Sequence, residues 1–256
     1  MPAHVVVTGA SRGIGRELAL AFAARGHALV LCARSEPELT ALAAEIQAKH
    51  GRASVVVAGD LGTPQGVAEL EAACAALEVV GLVNNAGFGT AGAFESCDRE
   101  AERAMIRLNV ESLTDLCHAF VPRLEGVPGA FIINVASTAA FQPVPLFATY
   151  AATKAFVLSL SEALAEELAP VGIQVMALCP GVTETGFQAQ AQVATVRGAA
   201  SASEVAAYAV ESLSRGKRVA VHGAKNALLA FATRFGPRAL NAKMAKKTME
   251  PWFAKR

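Results

Sequence analysis

The sequence predicts an α/β fold: one doubly wound, seven-stranded parallel sheet with helices on both faces. Three observations carry that prediction. Short apolar runs rich in Val, Ile, Leu and Ala alternate with longer amphipathic runs, the pattern of strands buried on both faces and joined by helical crossovers. A glycine-rich stretch, Thr8 to Gly15, lies between the first apolar run and the first helical one. The chain has 256 residues, 53% of them hydrophobic, enough for one core at the upper size for a single domain over 1–256.

Val5-Val6-Val7 reads as the first buried strand, and Arg16 to Arg25 as an amphipathic helix closed by Gly26, the residue that best adopts the left-handed turn after a helix. The next strand is expected over Ala28 to Ala33, a helix over Glu36 to His50, and a third strand over Ser54 to Ala58. A helix over Pro64 to Leu77 and a fourth strand over Val79 to Val83 complete a βαβαβαβ half. Further strands are expected at Ala130–Val135, Ile173–Leu178 and Arg218–Val221, separated by helices near 99–124, 149–169 and 203–214. Thr183 to Ser203 is the least regular stretch and leaves a strand end just after Pro180-Gly181, where open α/β sheets bind ligands; it reads as a mobile substrate loop.

The balance of 23 basic and 22 acidic residues provides no overall field for nucleic acid, and no nucleic-acid partner is expected. The charge is unevenly distributed: residues 225–256 carry eight Lys or Arg against one Glu. This basic extension reads as two helices divided by Gly236-Pro237. Ala227, Leu228, Leu229, Phe231 and Phe235 give the first an apolar stripe that could pack on the sheet edge, cover the substrate entrance, mediate dimerisation or touch a membrane, with packing within the chain the leading expectation. Trp252 and Phe253 beside Lys255 and Arg256 offer the lesser alternative of peripheral membrane contact. Five scattered cysteines match neither a disulfide framework nor a metal site, so no metal is expected. With no charged leader and no apolar stretch near 18 residues, a cytoplasmic location is expected.

Gly9, Gly13 and Gly15 let the backbone turn tightly after the first strand and approach a pyrophosphate, with Ser11, Arg12 and Ile14 between them and a helix N-terminus facing the anion. The spacing Gly-x-x-x-Gly-x-Gly differs from the Gly-x-Gly-x-x-Gly fingerprint. Asp60-Leu61 and Asn85-Ala86-Gly87 follow the third and fourth strands on the same rim, with Asp60 suited to accept from an adenine amino group. About twenty residues past the loop, where an NAD-binding chain places a carboxylate for the ribose 2′-hydroxyl, stands Ala33-Arg34. Arg34, with Arg12, would instead grip a 2′-phosphate, so NADP(H) is expected in preference to NAD(H). The competing reading of Arg34 is a surface ion pair with Glu36 or Glu38.

Tyr150 and Lys154, four residues apart on one helical turn, bring a phenol and an ammonium together. An ammonium nearby favours phenolate and would bring the phenol's pKa toward neutrality. Ser137, at the end of the fifth strand, would hydrogen-bond a carbonyl oxygen as negative charge develops.

Together, Thr8 to Gly15, Asn84 to Gly87, Asn109, Ser137, Tyr150, Lys154 and Pro180-Gly181 resemble the short-chain dehydrogenase/reductase family, over roughly residues 3–222, and look similar to its bacterial ketoacyl-reductase-like members. The resemblance implies a Rossmann-like fold and interconversion of a ketone or aldehyde with its alcohol. It implies Tyr150 as general acid/base, Lys154 on the tyrosine and the nicotinamide ribose, Ser137 on the substrate carbonyl, and Asn109 in a water-mediated proton path. It further implies Pro180, Gly181 and Thr183 at the nicotinamide, with Thr185 the competitor for its carboxamide, and a homodimer or homotetramer. Phe88, Phe141, Phe147 and Phe187 fall where substrate would lie, predicting a small, mainly apolar carbonyl or alcohol substrate. The alternative is an NADP(H)-binding redox sensor that contacts a partner without turnover, for which an intact Ser137, Tyr150 and Lys154 would have no use.

Overall fold

The computed structural model describes residues 3–187, 191 and 198–250. Seven strands form one parallel sheet: β1 (His4–Thr8), β2 (Ala28–Ala33), β3 (Ser54–Ala58), β4 (Val79–Asn84), β5 (Phe131–Val135), β6 (Gln174–Cys179) and β9 (Val219–Val221). Their order is β3-β2-β1-β4-β5-β6-β9. The chain therefore winds outward in one direction as far as β3, then returns to the other side of β1 at β4. The crevice between the carboxyl ends of β1 and β4 is the switch point at which such sheets bind ligands.

Successive strand side chains point to opposite faces, so each strand feeds two cores. On one face Val5, Val7, Leu29, Leu31, Ile133, Met176 and Leu178 pack under α1 (Gly13–Ala24), α2 (Glu36–His50) and α7 (Ala202–Ser214). On the other, Val6, Val30, Leu82, Ile132, Val175 and Ala177 pack under α3 (Pro64–Cys74), α5 (Ser112–Leu124) and α6 (Ala148–Glu167). Burial on both faces is what selected the unbroken apolar runs. The helix expected near 99–124 is continuous in path but composite: α4 (Arg99–Ile106), a π-helical turn (Arg107–Glu111), then α5. Such turns recur at functional positions, and this one holds Asn109.

Two helix bounds depart from expectation: α1 begins at Gly13 rather than Arg16, and α3 ends at Cys74 rather than Leu77. The stretch read as a mobile loop is tied at both ends, because β7 (Thr183–Glu184) pairs in parallel with β8 (Ala200–Ser201). Ser201 then starts α7 with a capping box to Glu204. Positions 188–190 and 192–197 of that stretch lie outside the described residues, as do Trp252, Phe253, Lys255 and Arg256. The basic extension forms α8 (Ala224–Ala232) and α9 (Arg238–Met249), divided at Gly236-Pro237 as expected. The apolar stripe of α8 does not pack inward as predicted: Leu228, Phe231 and Phe235 are exposed, and Ala230 is the buried residue of that helix.

Candidate active site

A cleft of about 920 Å³ runs along the carboxyl ends of the strands, from the loop after β1 to the turn between α8 and α9. At one end the glycine loop supplies a bare helix start. Gly9 and Gly13 hold left-handed backbone, φ +63° and +57°, which a residue with a Cβ adopts only at a cost. Helix α1 has no side-chain cap and no acidic residue in its first turn, in contrast to α3 capped by Thr63 and α4 by Asp98. Its leading N–H groups and the positive end of its dipole are left for an anion.

Gly15 serves this loop from below rather than at the cleft surface. It does not line the cleft, and a Cβ there would stand 2.3 Å from the Gly9 carbonyl and 2.4 Å from Asn85 Nδ2. Asn85 is likewise committed to the loop, donating from Nδ2 to the carbonyls of Thr8 (2.9 Å) and Gly9 (3.1 Å). The Thr8 hydroxyl completes the stitch, donating to Val83 O and accepting from the N–H groups of Asn85 and Ala86, each at 3.0 Å. Ser11, Arg12, Ile14, Ala86 and Gly87 line the cleft around this joint.

Beyond the end of β2, Arg34 lines the cleft, is exposed, and has no ion pair among the described residues. Arg12 holds Glu38 at 3.5 Å, so one of the two acids anticipated as partners for Arg34 is taken by Arg12. Asp60 and Leu61 line the cleft at the end of β3, with Asp60 Oδ1 accepting from Gly62 N at 2.9 Å.

At the other end, Tyr150 and Ser137 both line the cleft, and the Ser137 hydroxyl accepts from Ala139 N at 3.1 Å. Lys154 lies beneath them, 6% exposed, and Nζ donates to Val135 O at 2.8 Å. Burial pushes the Tyr150 phenol up to about 12, with the Ser137 side chain pulling the other way. Burial also brings Lys154 down to about 8. The expectation that Lys154 draws the phenol's pKa toward neutrality is thus not met by the protein groups alone: both groups lose hydration, and Lys154 is directed at a backbone carbonyl.

Asn109 is 1% exposed and stands behind the cleft. Its Nδ2 donates to Phe88 O (2.9 Å) and Thr153 Oγ1 (3.1 Å), and its Oδ1 accepts from Phe88 N (3.2 Å). The side chain clamps the loop after β4 to helix α6, one residue before Lys154. Both Nδ2 hydrogens and one Oδ1 lone pair are engaged by protein.

Pro180, Gly181, Thr183 and Thr185 line the cleft between these two ends. Thr183 is buried and its hydroxyl donates to Gly181 O at 3.1 Å, whereas Thr185 accepts from Phe187 N at 3.2 Å. Phe88, Phe141, Phe147 and Phe187 all face the same space, with Phe187 stacked at a tilt 5.2 Å from the Tyr150 ring. The far wall comes from the basic extension, one of the placements that the sequence left open; Leu229 lines it with Asn226, Thr233 and Met244, which sequence reasoning did not single out. Gly181 allows this wall its close approach, since a Cβ there would stand 2.4 Å from Asn226 Nδ2.

The short chain dehydrogenase family model matches residues 3–195, spanning the glycine loop, Ser137, Tyr150 and Lys154. A sulfoacetaldehyde reductase of Chromohalobacter salexigens is 40% identical over 191 residues, 72% of this chain and 73% of that protein. This chain belongs to the short-chain dehydrogenase/reductase family. Members of this family are NAD(P)-dependent oxidoreductases, and the seven-stranded sheet is their Rossmann-like architecture. A solved short-chain dehydrogenase from Sphingobium yanoikuyae in complex with NADPH is 35% identical, with TM-score 0.83 over 92% of this chain and 94% of that one. A probable oxidoreductase of Mycobacterium tuberculosis, EphD, is 37% identical over 188 residues, 72% of this chain. The match spans about a third of that protein, 32% of its length.

Proposed function

We propose that this short-chain dehydrogenase interconverts apolar ketones or aldehydes and their alcohols with NADP(H), using Tyr150 as general acid/base. The observation that carries the reading is that Ser137, Tyr150 and Lys154 line the same cleft as the uncapped start of α1. The residues present fit a nicotinamide dinucleotide: a glycine cradle that a Cβ would fill, a helix start without its own cap, and an arginine where a 2′-phosphate would lie. Gly9, Ser11, Arg12, Gly13 and Ile14 would hold the pyrophosphate, Arg34 the phosphate, Asp60 and Leu61 the adenine side. Ala86, Gly87, Pro180, Gly181 and Thr183 would hold the nicotinamide half. When bound, such a cofactor supplies or accepts a hydride at the carbonyl carbon.

The chain's own residues do the rest. Ser137 and Tyr150 hydroxyls donate to the carbonyl oxygen, and that contact strengthens as negative charge collects there. Tyr150 then gives up its proton. An alkoxide is a stronger base than a phenolate, so transfer from a phenol near 12 is downhill. In the reverse oxidation the phenolate takes the proton of the alcohol. Lys154, with one N–H on Val135 O, keeps two donors for ribose hydroxyls when protonated. Asn109 fixes the position of Phe88 and Thr153 around this group. The surrounding Phe88, Phe141, Val144, Phe147 and Phe187 favour an apolar carbonyl compound.

Exposed Ile106 and Phe156, on the adjacent helices α4 and α6, support assembly of a homodimer or homotetramer through that face. The reading is tested by following NADPH and NADH oxidation across ketones and aldehydes of graded size. Turnover with NADPH that rises with apolar bulk is expected. Tight cofactor binding with no turnover across the panel would favour the redox-sensor alternative.

A further inference from the structure

Helices α8 and α9 expose an apolar face that the fold leaves uncovered. Phe235 is 75% exposed, Leu228 67% and Phe231 55%, with the two rings packed edge to face at 5.1 Å. Leu228, Phe231 and Phe235 follow one another at helical spacing, so they form one stripe. Leu240 and Met244 of α9 are also exposed. Isolated exposed apolar residues are ordinary, but a contiguous group of this size on a soluble surface marks a contact site. Around it stand Lys225, Arg234, Arg238, Lys243, Lys246 and Lys247, against one acid, Glu250, which lies 3.8 Å from Lys246.

We propose that the α8–α9 hairpin docks on an anionic lipid surface, with Leu228, Phe231 and Phe235 entering the interface and the cations holding lipid phosphates. Charge complementarity selects this occupant. A second copy meeting the same face across a two-fold axis would bring six cations against six, whereas an anionic bilayer meets every one of them with the opposite sign. No described helix is long and apolar enough to cross a membrane, so the contact is peripheral. Leu229 and Met244 belong both to this exposed group and to the lining of the cleft. Docking therefore sets the mouth of the apolar cleft at the lipid, where an apolar carbonyl compound partitions.

The test is co-sedimentation of the full chain with vesicles of phosphatidylcholine alone or with 30% phosphatidylglycerol by design, at about 0.1 M salt. Binding to the anionic vesicles and little to the neutral ones is expected. Each cation near such a surface contributes about fivefold in affinity, so the triple change Lys243→Gln, Lys246→Gln, Lys247→Gln should weaken binding about 100-fold. Phe231→Ser with Phe235→Ser should also weaken it, while circular dichroism and NADPH binding stay as in the parent. No binding to anionic vesicles, or binding unchanged in both variants, overturns the proposal. So does light scattering that shows the Ser variant converting a stable dimer to monomer without vesicle binding in the parent, because a second copy then covers the face.

Discussion

Replacing Gly15 with Ala separates two accounts of the glycine loop that predict opposite signs. Gly15 lies inside helix α1 at an ordinary helical φ, so by propensity alone an added methyl stabilises by about 0.5–1 kcal/mol. The structure predicts the reverse. The new Cβ would lie 2.3 Å from the Gly9 carbonyl and 2.4 Å from Asn85 Nδ2. Neither is the loose end of a flexible side chain, since Asn85 is pinned by its bonds to Thr8 and Gly9. Overpacking of this kind costs about 1–3 kcal/mol, and weakening the two Asn85 bonds costs about 0.5–1.5 kcal/mol each. The net destabilisation is about 2–4 kcal/mol, or roughly 5–15 °C in Tm for a domain of this size. Gly51 is the control: φ is +63° but nothing lies within 4 Å of its Cβ position, so Gly51→Ala should cost only about 1 kcal/mol of backbone strain. Thermal unfolding followed by circular dichroism, with NADPH fluorescence titration, reads both effects. A Gly15→Ala protein as stable as the parent, binding NADPH equally well, would refute the close loop-to-helix contact.

Three further outcomes follow from the site. Arg34→Ala removes a charge-assisted, two-pronged contact and should raise the Kd for NADPH by about 10- to 100-fold while leaving NADH within about twofold, read by titration with each cofactor. Because the folded pKa of Lys154 is lowered to about 8 from an ordinary 10.5, the unfolded chain binds the extra proton between those values. Stability therefore rises with pH in that window, by about 2 kcal/mol from pH 8 to 9.5 in urea unfolding, and Lys154→Met should flatten the rise. Tyr150, raised to about 12 from 10, has the opposite sign: above pH 10 the unfolded chain loses a proton the folded one keeps, and stability falls, a fall that Tyr150→Phe should reduce.

Much of this was legible in the chain because the relevant physics is local. Strands β1 to β6 and β9 announced themselves through apolar runs that must be buried on both faces, and Gly9, Gly13, Tyr150 and Lys154 through short-range spacing. What escaped depends on partners distant in sequence. Gly15 and Asn85 share motifs with residues that line the cleft, and Asn85 lines it too; only the β1–β4 pairing shows that the two also meet each other. Asn109 read as an ordinary helix residue, and the π-helical turn that aims its amide at Phe88 has no signature in composition. The pKa of Tyr150 was misjudged from the Lys154 spacing, because i,i+4 proximity says nothing about burial or about Val135 O competing for the ammonium. The apolar stripe of α8 was read correctly as a stripe and wrongly as core, since periodicity shows that a face exists and not what covers it.

The central claim is that the Tyr150 phenol delivers a proton to the carbonyl oxygen inside this cleft. Single-turnover loss of NADPH absorbance, with an apolar ketone at saturation, tests it most directly in the parent and in Tyr150→Phe. The account predicts the Phe protein binding NADPH as tightly as the parent and oxidising it about 100- to 10,000-fold more slowly. Equal rates in the two proteins would contradict it.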